Sequence, residues 1–239
     1  MARLVFITGA SSGIGQALAW RFHQKGYRLA LAARRTEQIE AWAIASGINP
    51  GNYRVYRTDV SVIDSMLAAG RACITQQGVP DVVVANAGIS IGMDTAMPQD
   101  LKVMAQTFAT NNIGLAATFH PFVAGMTQRG SGTLVGIASV AGIRGLPGHA
   151  AYCASKAGVI SSCEILRGAL RSSSVKVVTL SPGYIDTPLP RNNHYPIPFL
   201  MTADEFSVKD FPPHWPCLIS RVIPSQSRHV STHLTATQD

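Results

Sequence analysis

Short apolar runs alternate with longer helical patterns along most of the chain. The runs predict β-strands at Leu4–Thr8, Leu29–Ala33, Tyr53–Thr58, Val82–Ala85, Thr133–Ala138 and Val175–Leu180. A long helical region is expected after the fourth run, and the other helices are predicted at Gly13–Lys25, Thr36–Ser46, Ser61–Gln77 and Ala151–Arg171, with Thr36 and Ser61 as the N-caps of the second and third. Uninterrupted apolar strands indicate burial on both faces, which is typical of a parallel sheet covered by helices. The sequence therefore predicts a single α/β domain with a doubly wound, mostly parallel sheet and helices on both faces.

Composition fits one ordered globular domain and argues against a nucleic-acid interface. The 239 residues are 46% hydrophobic and 14% charged, and the net charge is +7. The positive charge is scattered, and its closest approach to a cluster is Arg34-Arg35. Scattered charge favours a solvated surface over a nucleic-acid partner, and it also helps to attract a phosphate-bearing ligand.

Nothing in the sequence indicates a secretory signal, a membrane span or a metal site. The apolar run near the N-terminus is short for a signal, and no stretch reaches the roughly 18 apolar residues of a membrane-spanning helix. The cysteines lack paired metal-ligand spacing and are expected to be reduced thiols: Cys73, Cys153, Cys163 and Cys217. We therefore expect a cytoplasmic protein with no integral membrane segment and no bound metal.

A glycine-rich segment, TGASSGIG, follows the first predicted strand and opens the first predicted helix. Glycine allows a tight turn and a close approach of a phosphate, and the helix start offers unpaired N–H groups to that phosphate. A tight connection without a ligand is the alternative. The segment predicts phosphate contacts from Gly9, Ser11, Ser12, Gly13, Ile14 and Gly15.

Two arginines, Arg34 and Arg35, follow the second predicted strand. A site selective for NAD would place an acid here to bind the ribose 2′-hydroxyl. Guanidinium groups instead suit a 2′-phosphate by charge and geometry. The pair therefore favours NADP(H) over NAD(H), with two solvent-facing arginines as the alternative.

Each remaining predicted strand also ends in a small, polar or glycine-containing turn. Because the carboxyl ends of parallel strands meet at one sheet edge, these turns are expected to form a continuous ligand trough. The residues concerned are Asp59, Val60, Asn86, Ala87, Gly88, Ser139, Pro182, Gly183, Ile185 and Thr187.

Tyr152 and Lys156 stand four residues apart in the segment YCASK. This spacing places both side chains on one face of a helix. A phenol is a weak acid with a pKa of about 10, and a nearby ammonium group would favour its ionised form. The pair is suited to proton transfer, although an accidental helix surface is the alternative.

Together these segments resemble the short-chain dehydrogenase/reductase family. The resemblance rests on TGASSGIG, Asp59-Val60, NAG at 86–88, Asn111 in NNIG, Ser139, Tyr152-x-x-x-Lys156 and PGYIDT at 182–187. It implies a Rossmann fold, a nicotinamide cofactor and interconversion of a secondary alcohol and a carbonyl. Asn111 is chosen over Asn112 because it stands three residues before Gly114, as in the family pattern.

The resemblance also implies roles for four residues. Tyr152 would be the general acid/base, and Lys156 would hold the nicotinamide ribose and lower the tyrosine pKa. Ser139 would hydrogen-bond the substrate oxygen, and Asn111 would support a proton relay. A small-molecule carbonyl or alcohol substrate and a homodimer or homotetramer are also implied.

The C-terminal region differs in composition from the rest of the chain. All 21 glycines lie at or before Gly183. We interpret 1–189 as the dinucleotide-binding and catalytic core, and 190–239 as a substrate lid with an atypical tail. Thr202 and Glu205 indicate a helix start, and CLISRVIP is compatible with an edge strand. From about Asp210 the tail is hypothesised to be divergent or out of frame, so the alternative function is a catalytically impaired NADP-binding protein.

Overall fold

The computed structural model describes residues 2–186, 201–205 and 221–222. Its strands are β1 Leu4–Thr8, β2 Arg28–Ala33, β3 Tyr53–Arg57, β4 Val82–Ala85, β5 Gly132–Ile137, β6 Val175–Ser181, β7 Ile185–Asp186, β8 Met201–Thr202 and β9 Arg221–Val222. Its α-helices are α1 Gly13–Gln24, α2 Thr36–Ala45, α3 Ile63–Gln77, α4 Leu101–Phe108, α5 Gly114–Arg129 and α6 Ala150–Ala169. A π-helical turn, Ala109–Ile113, joins α4 to α5.

The main sheet has the strand order β3-β2-β1-β4-β5-β6-β9, and every pair in it is parallel. The chain builds outward from β1 to β3 and then returns to add β4 on the other side of β1. The carboxyl ends of β1 and β4 therefore flank the point where the winding reverses, which is where open α/β sheets bind ligands. The predicted doubly wound parallel sheet is confirmed.

Alternating strand residues feed two hydrophobic layers, one on each face of the sheet. Val5 and Ile7 of β1 pack with α1 and α2, whereas Phe6 packs on the opposite face with α3, α5 and α6. The rings of Phe6 and Phe122 lie 4.9 Å apart, and both are fully buried. Truncating such a core phenylalanine to alanine typically costs about 3–5 kcal/mol of stability.

Two predicted helix caps are wrong because their hydroxyl groups are used otherwise. Thr36 is the first helical residue of α2, and its hydroxyl donates to the carboxylate of Glu37 at 3.3 Å. The backbone N–H and hydroxyl of Ser61 donate to Asp59 Oδ1 at 3.0 and 2.7 Å. This local turn occupies the Ser61 side chain, so α3 begins later, at Ile63.

Two features of the C-terminal region match their predictions. The N–H of Glu205 donates to Thr202 Oγ1 at 3.1 Å, and the N–H of Thr202 donates to Glu205 Oε2 at 2.9 Å. These reciprocal bonds form the expected capping box. The strand β9 lies within CLISRVIP and pairs with the end of β6, as an edge strand should. The rest of the proposed lid and tail lies outside the described residues.

Within the described residues, no helix has the length and apolar character needed to cross a bilayer.

Candidate active site

The turn after β1 and the start of α1 each require a glycine because a Cβ would collide with the backbone there. Gly9 has a φ of +67°, and a Cβ on it would stand 2.8 Å from the Cα of Ala87. A Cβ on Gly15 would stand 2.3 Å from the carbonyl oxygen of Gly9. No side chain fits either space, so glycine lets the turn pack closely against the start of α1 and the segment after β4.

The N-terminus of α1 is arranged to receive an anion. Ser12 is the N-cap residue, yet within the described chain its side chain makes no capping hydrogen bond. The structure describes every residue in the first turn of α1, and none of them is acidic. The first N–H groups of α1 and the positive end of its dipole are therefore available to a phosphate. A dinucleotide pyrophosphate fits this turn.

The segment after β4 holds the glycine turn in place. Asn86 Nδ2 donates to the carbonyl oxygens of Thr8 and Gly9 at 3.0 and 3.2 Å. The hydroxyl of Thr8 accepts from the N–H groups of Asn86 and Ala87 at 3.2 and 3.3 Å. Asn86 and Ala87 therefore clamp the turn, and the direct cofactor contact predicted for them stays a prediction. Sequence reasoning missed Thr8, although a buried threonine at the end of an apolar strand is a usable signal.

Both arginines after β2 lie at the rim of the crevice. Arg34 Nη1 stands 3.7 Å from Asp59 Oδ2, and the Arg34 side chain is 70% exposed. Arg35 Nη2 donates to the hydroxyl of Ser11 at 3.5 Å. These contacts are long and exposed, so they contribute little to stability. They bring both guanidinium groups beside the predicted phosphate turn and the end of β3.

Asp59 is kept ionised at the end of β3. Burial raises its pKa, but hydrogen bonds from the hydroxyl and N–H of Ser61, together with the charge of Arg34, outweigh burial and lower the pKa below its usual value. Val60 is buried next to it, and a Cβ on Gly114 would stand 3.0 Å from Val60 Cγ2. The Val60 side chain therefore packs on the start of α5.

Ser139 and Tyr152 meet beyond the end of β5. Ser139 is buried, and its Oγ accepts from the N–H of Ala141 at 3.1 Å. Burial raises the pKa of Tyr152, and a hydrogen bond with Ser139 partly offsets that rise. The sequence predicted a lowered pKa for Tyr152. With only the protein's own groups around the tyrosine this prediction is wrong, because loss of water around the phenolate raises the pKa more than the Ser139 bond lowers it.

Lys156 is buried below the tyrosine ring. The residue is only 5% exposed, and Nζ donates to the carbonyl oxygen of Ile137 at 2.7 Å. Nζ lies 5.7 Å from the centroid of the Tyr152 ring. Burial lowers the pKa of Lys156 to about 8. The amine therefore shares one face of α6 with the phenol, as its spacing predicts.

Asn111 lies in the π-helical turn and is 2% exposed. Its Oδ1 accepts from the N–H of Ile89 at 2.9 Å, and its Nδ2 donates to the Ile89 carbonyl oxygen at 3.0 Å. A Cβ on Gly88 would stand 3.2 Å from Asn111 Oδ1 and 3.4 Å from Lys156 Nζ. Asn111 and Lys156 therefore line one space across Gly88.

The turn after β6 approaches the same edge. The carbonyl oxygen of Pro182 accepts from the N–H of Val140 at 3.0 Å, which ties this turn to the segment that bears Ser139. Gly183 is half-buried in that turn and Ile185 is buried in β7, whereas Ile14 packs partly against the core. Thr187 lies outside the described residues.

No group of three metal-ligating side chains occurs in the described part of the chain.

Together the parallel sheet, the glycine turn and the Ser139–Tyr152–Lys156 cluster define a dinucleotide-dependent oxidoreductase. A sequence model described as short chain dehydrogenase matches residues 3–195. The chain belongs to that family, whose members are enzymes acting on CH–OH groups with NAD(P) as acceptor. These matches do not favour a protein that binds NADP without turnover.

Three similar proteins illustrate this relationship. An uncharacterized oxidoreductase of Myxococcus xanthus is 39% identical over 85% of this chain and 80% of its own length. A dehydrogenase/reductase SDR family protein 7-like of Drosophila melanogaster is 35% identical over 80% of this chain but only 59% of its own length. The structure of an alcohol dehydrogenase from Thermococcus sibiricus complexed with 5-hydroxy-NADP covers 96% of this chain and all (100%) of its own, with a TM-score of 0.83 and 23% identity, and supports the fold.

Proposed function

We propose that this chain interconverts a carbonyl compound and a secondary alcohol by hydride transfer with NADP(H), using Tyr152 as the general acid/base. The observation on which the proposal depends is the convergence of Ser139, Tyr152, Lys156 and Asn111 at the carboxyl edge of the sheet, beside the glycine turn. When bound, the nicotinamide supplies or accepts the hydride.

In the reductive direction, Tyr152 donates its hydroxyl proton to the carbonyl oxygen. Its raised pKa keeps the phenol protonated near neutral pH, which suits a proton donor. The Ser139 hydroxyl, already adjacent to Tyr152, hydrogen-bonds the same oxygen as negative charge develops on it. Oxidation of the alcohol uses the same groups in reverse, with Tyr152 as the base.

Lys156 and Asn111 support this proton transfer. The Lys156 amine is within reach of the space beside Gly88, where it would hold the ribose hydroxyls of the nicotinamide half. Its charge favours the phenolate when the tyrosine must act as a base. Asn111 borders the same space and would hold the relay that returns a proton to Tyr152.

A preference for NADP(H) follows from the charge beyond β2. Arg34 and Arg35 are exposed, and their contacts to Asp59 and Ser11 are weak enough to be exchanged for a 2′-phosphate. Backbone and side-chain groups at Ser11, Ser12 and the α1 N-terminus would hold the pyrophosphate.

We further propose a cytoplasmic homodimer or homotetramer whose catalytic core is residues 1–189. Large apolar side chains are exposed on the helices after β4 and β5: Leu101 is 63%, Ile113 46% and Ile165 71% exposed. Exposed apolar side chains on neighbouring helices suit a contact with a second copy. Sedimentation analysis tests the assembly, and a monomer at micromolar concentration would contradict it.

The decisive experiment is an NADPH oxidation assay with a panel of aldehydes and ketones. The parent should turn over at least one class, with a higher kcat/KM for NADPH than for NADH. Tyr152→Phe should lose about a thousandfold in kcat or more, whereas the control Tyr53→Phe, on β3, should match the parent. A Tyr152→Phe variant as active as the parent would overturn the mechanism. NADPH binding without turnover by the parent would instead favour a non-catalytic role.

A further inference from the structure

Ser155 lies in α6 between the two proposed catalytic side chains and is completely buried. Its Oγ accepts from Asn111 Nδ2 at 2.9 Å and donates to the Tyr152 carbonyl oxygen at 2.8 Å. We propose that Ser155 is a positioning residue that fixes Asn111 relative to the Tyr152–Lys156 turn. This inference rests on the function proposed above.

The direction of this hydrogen-bond chain follows from its first member. The N–H of Ile89 can only donate, so Asn111 must present its oxygen there and its amide nitrogen toward Ser155. Because Asn111 supplies a hydrogen, the Ser155 proton is free to bond the Tyr152 carbonyl. When every group in a series of hydrogen bonds donates in the same direction, the bonds strengthen one another.

A second contact holds the backbone of Ser155. Asn112 Nδ2 donates to the Ser155 carbonyl oxygen at 2.9 Å. The two adjacent asparagines of the π-helical turn therefore bond the side chain and the backbone of one serine. This double contact fixes the π-helical turn against α6, so Asn111 cannot shift without disturbing that helix.

Ser155 also bonds the backbone between Tyr152 and Lys156, at the carbonyl group of Tyr152. In an α-helix the Tyr152 carbonyl also accepts the N–H of Lys156, so the Ser155 hydroxyl joins an existing bond between those residues. Removing the hydroxyl should displace Asn111 and loosen this turn. The glycine turn after β1 would be untouched, because none of its hydrogen bonds involves Ser155.

The kinetic test compares Ser155→Ala with Ser162→Ala, which removes an exposed serine from the same helix. Ser155→Ala should lower kcat about tenfold and leave KM for NADPH within about twofold. Ser162→Ala should change neither. In the double variant with Asn111→Ala, the loss should be no more than about twofold beyond that of Asn111→Ala alone. Losses that multiply would show that Ser155 does not act through Asn111, and would overturn the inference.

Amide hydrogen exchange gives a readout without catalysis. Exchange at Ile89 should accelerate in Ser155→Ala and not in Ser162→Ala, because Asn111 holds that N–H. If Ser155→Ala does not fold, Ser155→Cys decides instead: its thiol is only a weak hydrogen-bond partner, so this variant should also lower kcat and accelerate exchange at Ile89. An active parent with an inactive Tyr152→Phe, but with kcat and Ile89 exchange unchanged in the Ser155 variant, overturns this inference alone. An inactive parent overturns the proposed function instead.

Discussion

The catalytic side of the crevice and its phosphate-binding rim are built differently. Asn111, Ser139 and Lys156 are 2%, 7% and 5% exposed, and each is held by hydrogen bonds. Arg34, at the rim, is 70% exposed at its side chain and reaches its partner only at 3.7 Å. The catalytic side is therefore ordered by the protein itself, whereas the rim can be ordered by its ligand.

The contrast has a physical cause. Hydrogen bonds shielded from water hold their groups firmly, because the alternative is an unpaired buried polar group. Exposed guanidinium groups lose little when they change partner, since such ion pairs contribute about 0–1 kcal/mol. Catalytic groups must be in position before the reaction, whereas phosphate-binding groups can take up their positions when the ligand binds.

The largest expected effect separates catalysis from binding. Ser139→Ala should lower kcat by about 10²–10³, with Kd for NADPH unchanged within about twofold. Since the Ser139 bond lowers the Tyr152 pKa, its loss should move the alkaline limb of the pH–rate profile for reduction to higher pH. Stopped-flow kinetics and fluorescence titration measure both. If Ser139→Ala weakened NADPH binding as much as it lowered kcat, the proposed separation of the catalytic side from the phosphate-binding rim would be contradicted.

The next effect concerns the stability of the catalytic side. Lys156 has a folded pKa of about 8 and a reference value of 10.5, so the unfolded chain binds more protons between these values. The burial cost is therefore full below about pH 8 and disappears as the pH rises toward 10.5. Relative to Lys156→Met, the parent should gain about 2 kcal/mol between about pH 7.5 and about pH 10. Urea denaturation of both proteins tests this, and a difference independent of pH would contradict it.

A smaller effect is expected at the rim. Arg34→Ser should lower kcat/KM for NADPH about 10–100-fold, as expected for loss of a charge-assisted contact. The value for NADH should stay within about twofold, because NADH lacks the 2′-phosphate. Arg171→Ala, an exposed arginine just after α6, is the matched control. Equal losses with both cofactors would mean that Arg34 supports the fold and does not select a cofactor.

The smallest effect tests the open helix end. Serine at an N-cap is usually worth about 1 kcal/mol, but Ser12 makes no capping bond among the described residues. Ser12→Ala should therefore change the free energy of unfolding of the ligand-free protein by less than about 0.5 kcal/mol. Thermal and urea denaturation without cofactor measure this. A loss near the usual value would show that the hydroxyl caps α1, leaving fewer N–H groups for phosphate.

The sheet was predictable because its signal is local. Val82–Ala85 forms a strand with the predicted bounds, since four apolar residues can be buried only in the middle of the sheet. Helix starts were less predictable. Ser61 looks like a cap in sequence, but Asp59 two residues earlier accepts both of its hydrogens. A choice between two local partners depends on backbone geometry that spacing does not contain.

The site was predictable in membership but not in its energetics. Spacing alone places Tyr152 and Lys156 on one helix face, as the structure shows. It did not reveal that burial raises the Tyr152 pKa, because burial depends on the packing of the whole fold. Ser155 was also missed. Its bond to Tyr152 spans three positions within α6, whereas its bond to Asn111 spans 44 positions and reaches another element, which spacing along the chain does not reveal.

The most direct test is a pair of crystal structures, with and without NADP⁺. We predict that the side chains of Asn111, Ser139 and Lys156 move by less than about 1 Å, while Arg34 leaves Asp59 and contacts the 2′-phosphate. A rim that stays fixed while the catalytic side chains rearrange, or an Arg34 that points away from the bound nucleotide, would contradict the account.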